Sequence, residues 1–177
     1  MCIRDSFYLG QHQNKDNPAA HYAGTGPEIW EATQGQIDIF VAALGTGGTI
    51  TGAGSYLKEH NPAVQCVAIE PEQAPFISQG KFTPHRIMGA APGFVPAALD
   101  KEVIDTFELI SEEEAFAACR ELAETEGILV GITSGANAAV ARRLAQRPEN
   151  KDKTIVCIFC DTGQRYLSVE GLFRESS

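Results

Sequence analysis

Five consecutive residues, Gly45-Thr46-Gly47-Gly48-Thr49, carry the clearest chemical signal in the chain. The apolar run from Ile37 to Leu44 precedes them. Ile50, Ala53 and Leu57 follow at helical spacing. The pattern predicts a buried strand, a glycine-rich turn and a helix. The first amides of a helix have no partners inside it, and the helix dipole adds positive charge there. Glycines let an anion approach the backbone without meeting a Cβ. The turn is therefore expected to cradle a phosphate; the bland alternative is a tight connection that binds nothing.

Three ligand classes use such a turn. A nucleoside triphosphate loop requires Lys-Ser or Lys-Thr at the helix start, where this chain has Ile50 and Thr51. A dinucleotide site requires a third small residue and an acid about 20 residues on. Gly45, Gly47 and Glu70 fit it, but Ile50 occupies the position of the third glycine. A single cofactor phosphate, such as that of pyridoxal phosphate, requires only the turn and hydroxyls, which Thr46 and Thr49 supply.

Other reactive residues read as structural. Cys157 and Cys160 have the spacing of a metal or redox pair but lack a second pair, so they are expected to be buried structural thiols. Cys2, Cys66 and Cys119 suggest no site, and His12, His21, His60 and His85 lack metal-ligand spacing, so no metal is expected. His85 sits in a long loop and reads as a surface histidine. Ser111-Glu112-Glu113-Glu114 reads as a capping box rather than an acidic metal cluster.

The elements that position these residues alternate. Asp16-Asn17-Pro18 begins a helix, and Thr25 precedes a second helix that ends at Gly35, with Trp30 expected in the core. Strands are expected over 64–70, 103–110 and, as the last central strand, Thr154 to Cys160. A short helix covers 74–79, a long loop runs from Lys81 to Leu99, and a helix starting at Ser111 ends at Gly127. Ile128 to Ile132 reads as extended. Thr133-Ser134-Gly135 reads as a turn with Ser134 at the N-cap, followed by a helix from Ala136 to Arg147. The alternation predicts an α/β fold: an open, mostly parallel sheet with helices on both faces. Residues 1–6 resemble nothing that follows and are read as a non-native scar. Residues 7–35 form a linker or crossing segment with helices, and 36–177 form a phosphate-binding domain.

The chain has 177 residues, 44% of them hydrophobic, and a formal charge of −9 from 23 acids against 14 bases. The acidic balance argues against nucleic acid and anionic membrane surfaces as partners. No run approaches the ~20 apolar residues of a membrane span. With no apolar core in the first six residues and an odd five cysteines, a cytoplasmic protein with reduced thiols is expected.

Three segments, "TGPEIWEATQGQIDIFVAALGTGGTITG", "GILVGITSGAN" and "DTGQRYLS", resemble in order and spacing the cysteine synthases, or O-acetylserine sulfhydrylases. These are pyridoxal-phosphate enzymes of the tryptophan-synthase-β-like fold. The likeness runs from about Asn17 to Phe173. It implies that Gly45, Thr46, Gly47, Gly48 and Thr49 bind the cofactor phosphate. It implies that Thr133, where the family usually has serine, meets the pyridine nitrogen. Gly89, in "RIMGAAPGF", falls in the loop near the substrate amine, with Met88 where glutamine is frequent. Arg165 and Tyr166 read as packing or interface residues. A hydroxyl opposite the ring nitrogen makes a weaker electron sink than a carboxylate would. That suits loss of acetate from O-acetylserine and addition of sulfide at Cβ. The resemblance also implies a homodimer at full length and a possible serine acetyltransferase partner.

The chemistry requires a Schiff-base lysine, which the family carries before the matched region. Lys15, Lys58, Lys81, Lys101, Lys151 and Lys153 have no matching context. Lys58 lies about 13 Å up the helix from Thr49 at 1.5 Å per residue. The chain therefore reads as the C-terminal portion of such an enzyme, with no catalytic residue of its own. The rivals are a related cystathionine β-synthase and a nicotinamide-binding domain.

Overall fold

The computed structural model describes residues 7–173. The expectation of a scar at residues 1–6, and Cys2 with it, lies outside the described residues.

A parallel four-stranded sheet forms the centre. Its strands are β1 (Ile39–Ala43), β2 (Gln65–Pro71), β3 (Thr106–Ile110) and β4 (Ile155–Cys157), in the order β3-β2-β1-β4. Ile39 pairs with Gln65 on one side and Ile155 on the other. Alternate residues face opposite ways along each strand. Ile39, Val41, Val67 and Ile69 enter a core with Phe116, Ile132 and Val140. Phe40, Ala42, Cys66 and Ala68 enter a second core with Ile50, Ala53 and Leu57. The near-continuous apolar sequence of β1 and β2 follows from this two-sided cover.

Helix α1 (Asp16–Ala20) passes through a π turn (His21–Thr25) into α2 (Gly26–Ala32). Thr25 has helical torsions and caps nothing. α3 (Gly48–His60) covers the same face of the sheet as α2. Trp30 packs half-buried against that core. α4 (Phe76–Gln79) follows β2. α5 (Glu112–Thr125) and α6 (Ile132–Ala145) cover the opposite face. The capping box at the start of α5 forms as expected: Ser111 Oγ accepts from Glu114 N–H and the Glu114 carboxylate accepts from Ser111 N–H.

Three expectations need correction. β4 is an edge strand in this structure, not a central one, and spans only 155–157. The remainder of 154–160 is held by α6 instead: Asn137 Nδ2 donates to Ile158 O at 2.7 Å, and Cys160 N–H donates to Ser134 Oγ at 2.9 Å. Ser134 is accordingly no N-cap. α6 begins at Ile132 with Gly131 as cap, so Thr133 and Ser134 lie in its first turn. Between Ile128 and Ile132 the only strand-like pairing among the described residues is an isolated bridge from Val130 to Thr162.

Residues 16–32 form the expected helices, joined by the π turn. α1 and the π turn lie directly on α3, because α3 offers Gly48 and Gly52 one turn apart. A Cβ on Gly52 would stand 2.1 Å from Pro18 O, and one on Gly48 would stand 2.0 Å from Asn17 Oδ1. No other side chain would allow that approach. Among the described residues, no helix is long and apolar enough to cross a membrane.

Candidate functional site

The parallel strands β1 and β2 end on one side of the sheet, where open α/β sheets bind ligands. A cleft of about 400 Å³ opens there. Gly45, Thr46, Gly47 and Thr49 line it, together with Gly89, Thr133, Gln11, Cys160, Asp161, Arg165 and Tyr166. The turn after β1, the long loop and the start of α6 thus meet at this cleft.

The turn is shaped by its neighbours. Leu44 N–H donates to Ile69 O and Leu44 O accepts from Ala91 N–H, so the strand end is clamped between β2 and the long loop. Gly47 has φ +80°, a left-handed conformation that glycine adopts freely, and it turns the chain into α3. Among the described residues no acceptor faces the amides of Gly45, Thr46, Gly47 or Thr49. Gly48 N–H alone is engaged, at 3.2 Å from Thr46 Oγ1.

The hydroxyls are oriented from behind. Thr46 Oγ1 accepts from Gly48 N–H and from Asn17 Nδ2, the latter at 2.9 Å. A hydroxyl has two lone pairs and one hydrogen. Both lone pairs of Thr46 are therefore engaged, and its O–H remains as a donor for something in the cleft. Asn17 is itself fixed by donating to Gln11 O at 2.7 Å.

Thr49 Oγ1 lies 3.2 Å from His21 Nε2, and His21 Nδ1 lies 2.9 Å from Thr25 Oγ1. Burial pushes the His21 pKa below its ordinary value. The neutral ring has one donor and one acceptor nitrogen. With the hydrogen on Nε2, His21 accepts from Thr25 and donates to Thr49, which leaves the Thr49 O–H free as well. Sequence reasoning missed Asn17 and His21. The π turn, a device frequent at functional sites, places His21 and Thr25 four residues apart around it.

Across the cleft, Thr133 is nearly buried, and its hydroxyl finds no partner among the described residues. Gly89 lies against Thr133: a Cβ added there would be 3.9 Å from Thr133 Oγ1. The exposed Met88 stands beside it. Asp161 was also missed. One of its carboxylate oxygens accepts from the Tyr166 hydroxyl, and the other is buried without a partner. Burial, followed by that bond to Asp161, pushes the Tyr166 pKa up to about 12. Tyr166 packs against the α5–α6 core, as expected, and with Arg165 it also lines the cleft.

The residues tied to other expectations lie elsewhere. Glu70 is fully buried, and its carboxylate accepts from Ile77 N–H at 2.6 Å and Ser78 N–H at 3.0 Å. It holds the first turn of α4 from inside the core and does not line the cleft. Lys58 pairs with Asp105 at 2.7 Å, away from the cleft, and none of the six lysines lines it. Cys157 is half-buried, and its thiol is pushed up to about 11 by burial, then by Cys160. Cys160 is exposed in the cleft, contrary to the expected buried pair. No group of His, Cys, Asp or Glu among the described residues could hold a metal.

Free amides at the start of a 13-residue helix, hydroxyls held as donors and a glycine floor suit a phosphate group. Known proteins agree. The family of "Pyridoxal-phosphate dependent enzyme" matches residues 3–161. Cysteine synthase of Buchnera aphidicola from Acyrthosiphon pisum is 45% identical over 177 residues, covering 96% of this chain and 56% of that protein. Cysteine synthase A of Escherichia coli K12 is 45% identical over 168 residues, covering 90% and 52%. The crystal structure of the Entamoeba histolytica cysteine synthase superposes with a TM-score of 0.92 at 37% identity, over 97% of this chain and 50% of that one. The chain spans about half the length of the curated relatives it matches. Cleft and relatives converge: this chain belongs to the family of pyridoxal-phosphate-dependent enzymes.

Proposed function

We propose that this chain is the cofactor-phosphate-binding portion of a cysteine synthase, which converts O-acetyl-L-serine and sulfide to L-cysteine and acetate. One observation carries the reading: the unengaged amides of the 45–49 turn beside a Thr46 hydroxyl that can only donate. The amides of Gly45, Thr46, Gly47 and Thr49, with the Thr46 and Thr49 hydroxyls, bind the phosphate. The positive end of α3 adds to the attraction. Asn17 and His21 orient those hydroxyls and touch no ligand.

Thr133 offers its hydroxyl to the pyridine nitrogen. Gly89, with no side chain, leaves room beside Thr133 for the amino-acid substrate. The bound cofactor supplies an electron sink for departure of a leaving group from the substrate Cβ. The Schiff-base lysine is supplied from outside residues 1–177, since none of the six lysines reaches the cleft. The reading includes a cytoplasmic enzyme that is a homodimer at full length. Docking of a serine acetyltransferase belongs to the same reading.

Titration of the isotope-labelled chain with inorganic phosphate, then with pyridoxal phosphate and pyridoxal, tests the cradle. The amide resonances of residues 45–49 shift with both phosphates and not with pyridoxal. Thr46→Val removes a charge-assisted hydrogen bond of roughly 1.5–3 kcal/mol, so phosphate binds about 10–150-fold more weakly, and Thr46→Ser restores it. Shifts centred elsewhere, or a Thr46→Val variant that binds normally, refute the assignment. The chain alone makes no cysteine; homocysteine in place of sulfide, in the reconstituted enzyme, separates a cystathionine β-synthase from the proposed reaction.

A further inference from the structure

The four described cysteines differ in reach. Cys66 and Cys119 are buried, Cys157 is half-buried, and Cys160 is exposed in the cleft. Burial pushes the first three thiols up, to about 12, about 11 and about 11 in that order. The thiolate is the form that attacks a disulfide, and access limits the rate. Exchange with a small disulfide therefore favours Cys160.

Cys160 is held where a ligand is expected. Its N–H donates to Ser134 Oγ at 2.9 Å, so it lies against the first turn of α6, beside Thr133. The fully buried Asn137 directs its Nδ2 at Cys160 Sγ from 3.8 Å. Thr133 is 6% exposed, its hydroxyl has no partner among the described residues, and it lines the same cleft. Charge narrows the choice of occupant. Among the described residues lining the cleft, Asp161 and Arg165 alone are charged, one acid and one base. Arg165 makes no ion pair among the described residues. A wall with one charge of each sign suits a zwitterion, and a free amino acid is one.

We infer that Cys160 is a thiolation site for the disulfide of a small amino-acid thiol, cystine being the simplest, and that the acquired group keeps the cofactor out of the cleft; the second clause rests on the proposed cofactor site. The Cys160 thiolate attacks one sulfur of cystine, and the S–S bond of cystine breaks. One cysteine stays on Cys160 as a mixed disulfide. The other leaves as a thiolate and takes a proton from solvent. The Cys160 sulfur is oxidised, the departing cysteine is reduced, and excess thiol reverses the exchange. The ammonium of the acquired group is drawn to Asp161 and its carboxylate to Arg165. The group stands before Thr133, in the space assigned to the pyridine ring, and leaves the 45–49 turn across the cleft open. Cystine is the oxidised form of the proposed product, so the exchange couples the cleft to the oxidation state of that product.

Peptide mass mapping and amide resonances together test this. Cystine should add one half-cystine to Cys160 and none to Cys66, Cys119 or Cys157, and should react faster than the uncharged disulfide of mercaptoethanol. Arg165→Met should slow the cystine reaction by about two- to fivefold, the reach of one exposed ion pair, and leave the uncharged disulfide unaffected. On the thiolated chain, pyridoxal phosphate should no longer shift the amides of residues 45–49, inorganic phosphate should still shift them, and dithiothreitol should restore the first response. Cys160→Ser should respond to pyridoxal phosphate identically before and after cystine. Addition at Cys157, an internal Cys157–Cys160 disulfide, equal rates for the two disulfides, or a thiolated chain that still binds pyridoxal phosphate overturns the inference. A parent chain that ignores pyridoxal phosphate from the start sinks the cofactor reading and the exclusion together, and mass mapping alone then decides the thiolation.

Discussion

Gly45→Ala tests whether the cradle and the long loop are one rigid unit. A Cβ on Gly45 would lie 2.4 Å from Gly89 O, a backbone atom that cannot swing aside. Relief requires the loop to retreat by roughly 1 Å, an overpacking distortion of about 1–3 kcal/mol. That retreat stretches the 2.7 Å bond from Ala91 N–H to Leu44 O, whose loss adds about 0.5–1.5 kcal/mol. The sum is roughly 2–4 kcal/mol, and at about 2–4 °C per kcal/mol for a chain of this size the melting temperature falls by on the order of 10 °C. Gly24→Ala is the control, because nothing lies within 4 Å of its Cβ position and its φ is ordinary. Replacing that helical glycine gains up to about 1 kcal/mol. Thermal unfolding by circular dichroism reads both. A Gly45→Ala protein that melts within about 2 °C of the parent, judged by the same scaling, refutes the close packing of turn and loop.

Thiol labelling followed by peptide mass mapping at pH 8 should modify Cys160 and spare Cys66 and Cys119. The first is exposed, and burial pushes the other two up to about 12 and about 11. Pyridoxal phosphate should slow the Cys160 reaction, and early labelling of Cys119 would contradict the burial. His21 carries a depressed pKa, so its contribution to stability is complete above the ordinary 6.5 and is lost as pH falls through the folded value. Urea midpoints should therefore drop on acidification, and His21→Gln should remove that part of the drop; identical profiles would refute a neutral, bonded ring. Glu70→Ala leaves the Ile77 and Ser78 amides unpaired, so urea unfolding should show a loss of roughly 2–5 kcal/mol. NADH fluorescence should not respond to the parent chain, because the acid a dinucleotide would need is engaged; saturable enhancement would revive that rival.

The strand–turn–helix around residue 45 was legible because each local signal agreed: an apolar strand, glycines at the turn and helical spacing after it. The capping box at Ser111 was legible for the same reason, since its two hydrogen bonds are local in sequence. Ser134 and β4 were misjudged where tertiary contacts outrank local pattern. The second helix begins after Thr25 as expected, but a π turn joins it to α1, which presses onto Gly48 and Gly52. Ser134 has the chemistry of an N-cap, but its hydroxyl is claimed by Cys160 N–H from a segment 26 residues away. Asn17 and His21 carried no motif. Their signal was the i,i+4 glycine pair on α3, which marks a surface built for the close approach of another helix.

The cradle's polarity is set at a distance, and that decides which substitutions matter. An anion site needs donors only, yet a threonine hydroxyl can turn either way. At Thr46 the choice is removed by Asn17, whose amide engages one lone pair while Gly48 N–H engages the other. At Thr49 the choice passes to His21, and through it to Thr25. Asn17→Asp replaces the Nδ2 donor facing Thr46 Oγ1 with an acceptor oxygen. The Thr46 O–H then turns back toward the new carboxylate and presents a lone pair to the cleft. Anion affinity should fall at least as far as in Thr46→Val, although no ligand-contacting atom has changed. An Asn17→Asp chain that binds inorganic phosphate as the parent does would show that the turn's amides alone carry the affinity and that the hydroxyls are incidental.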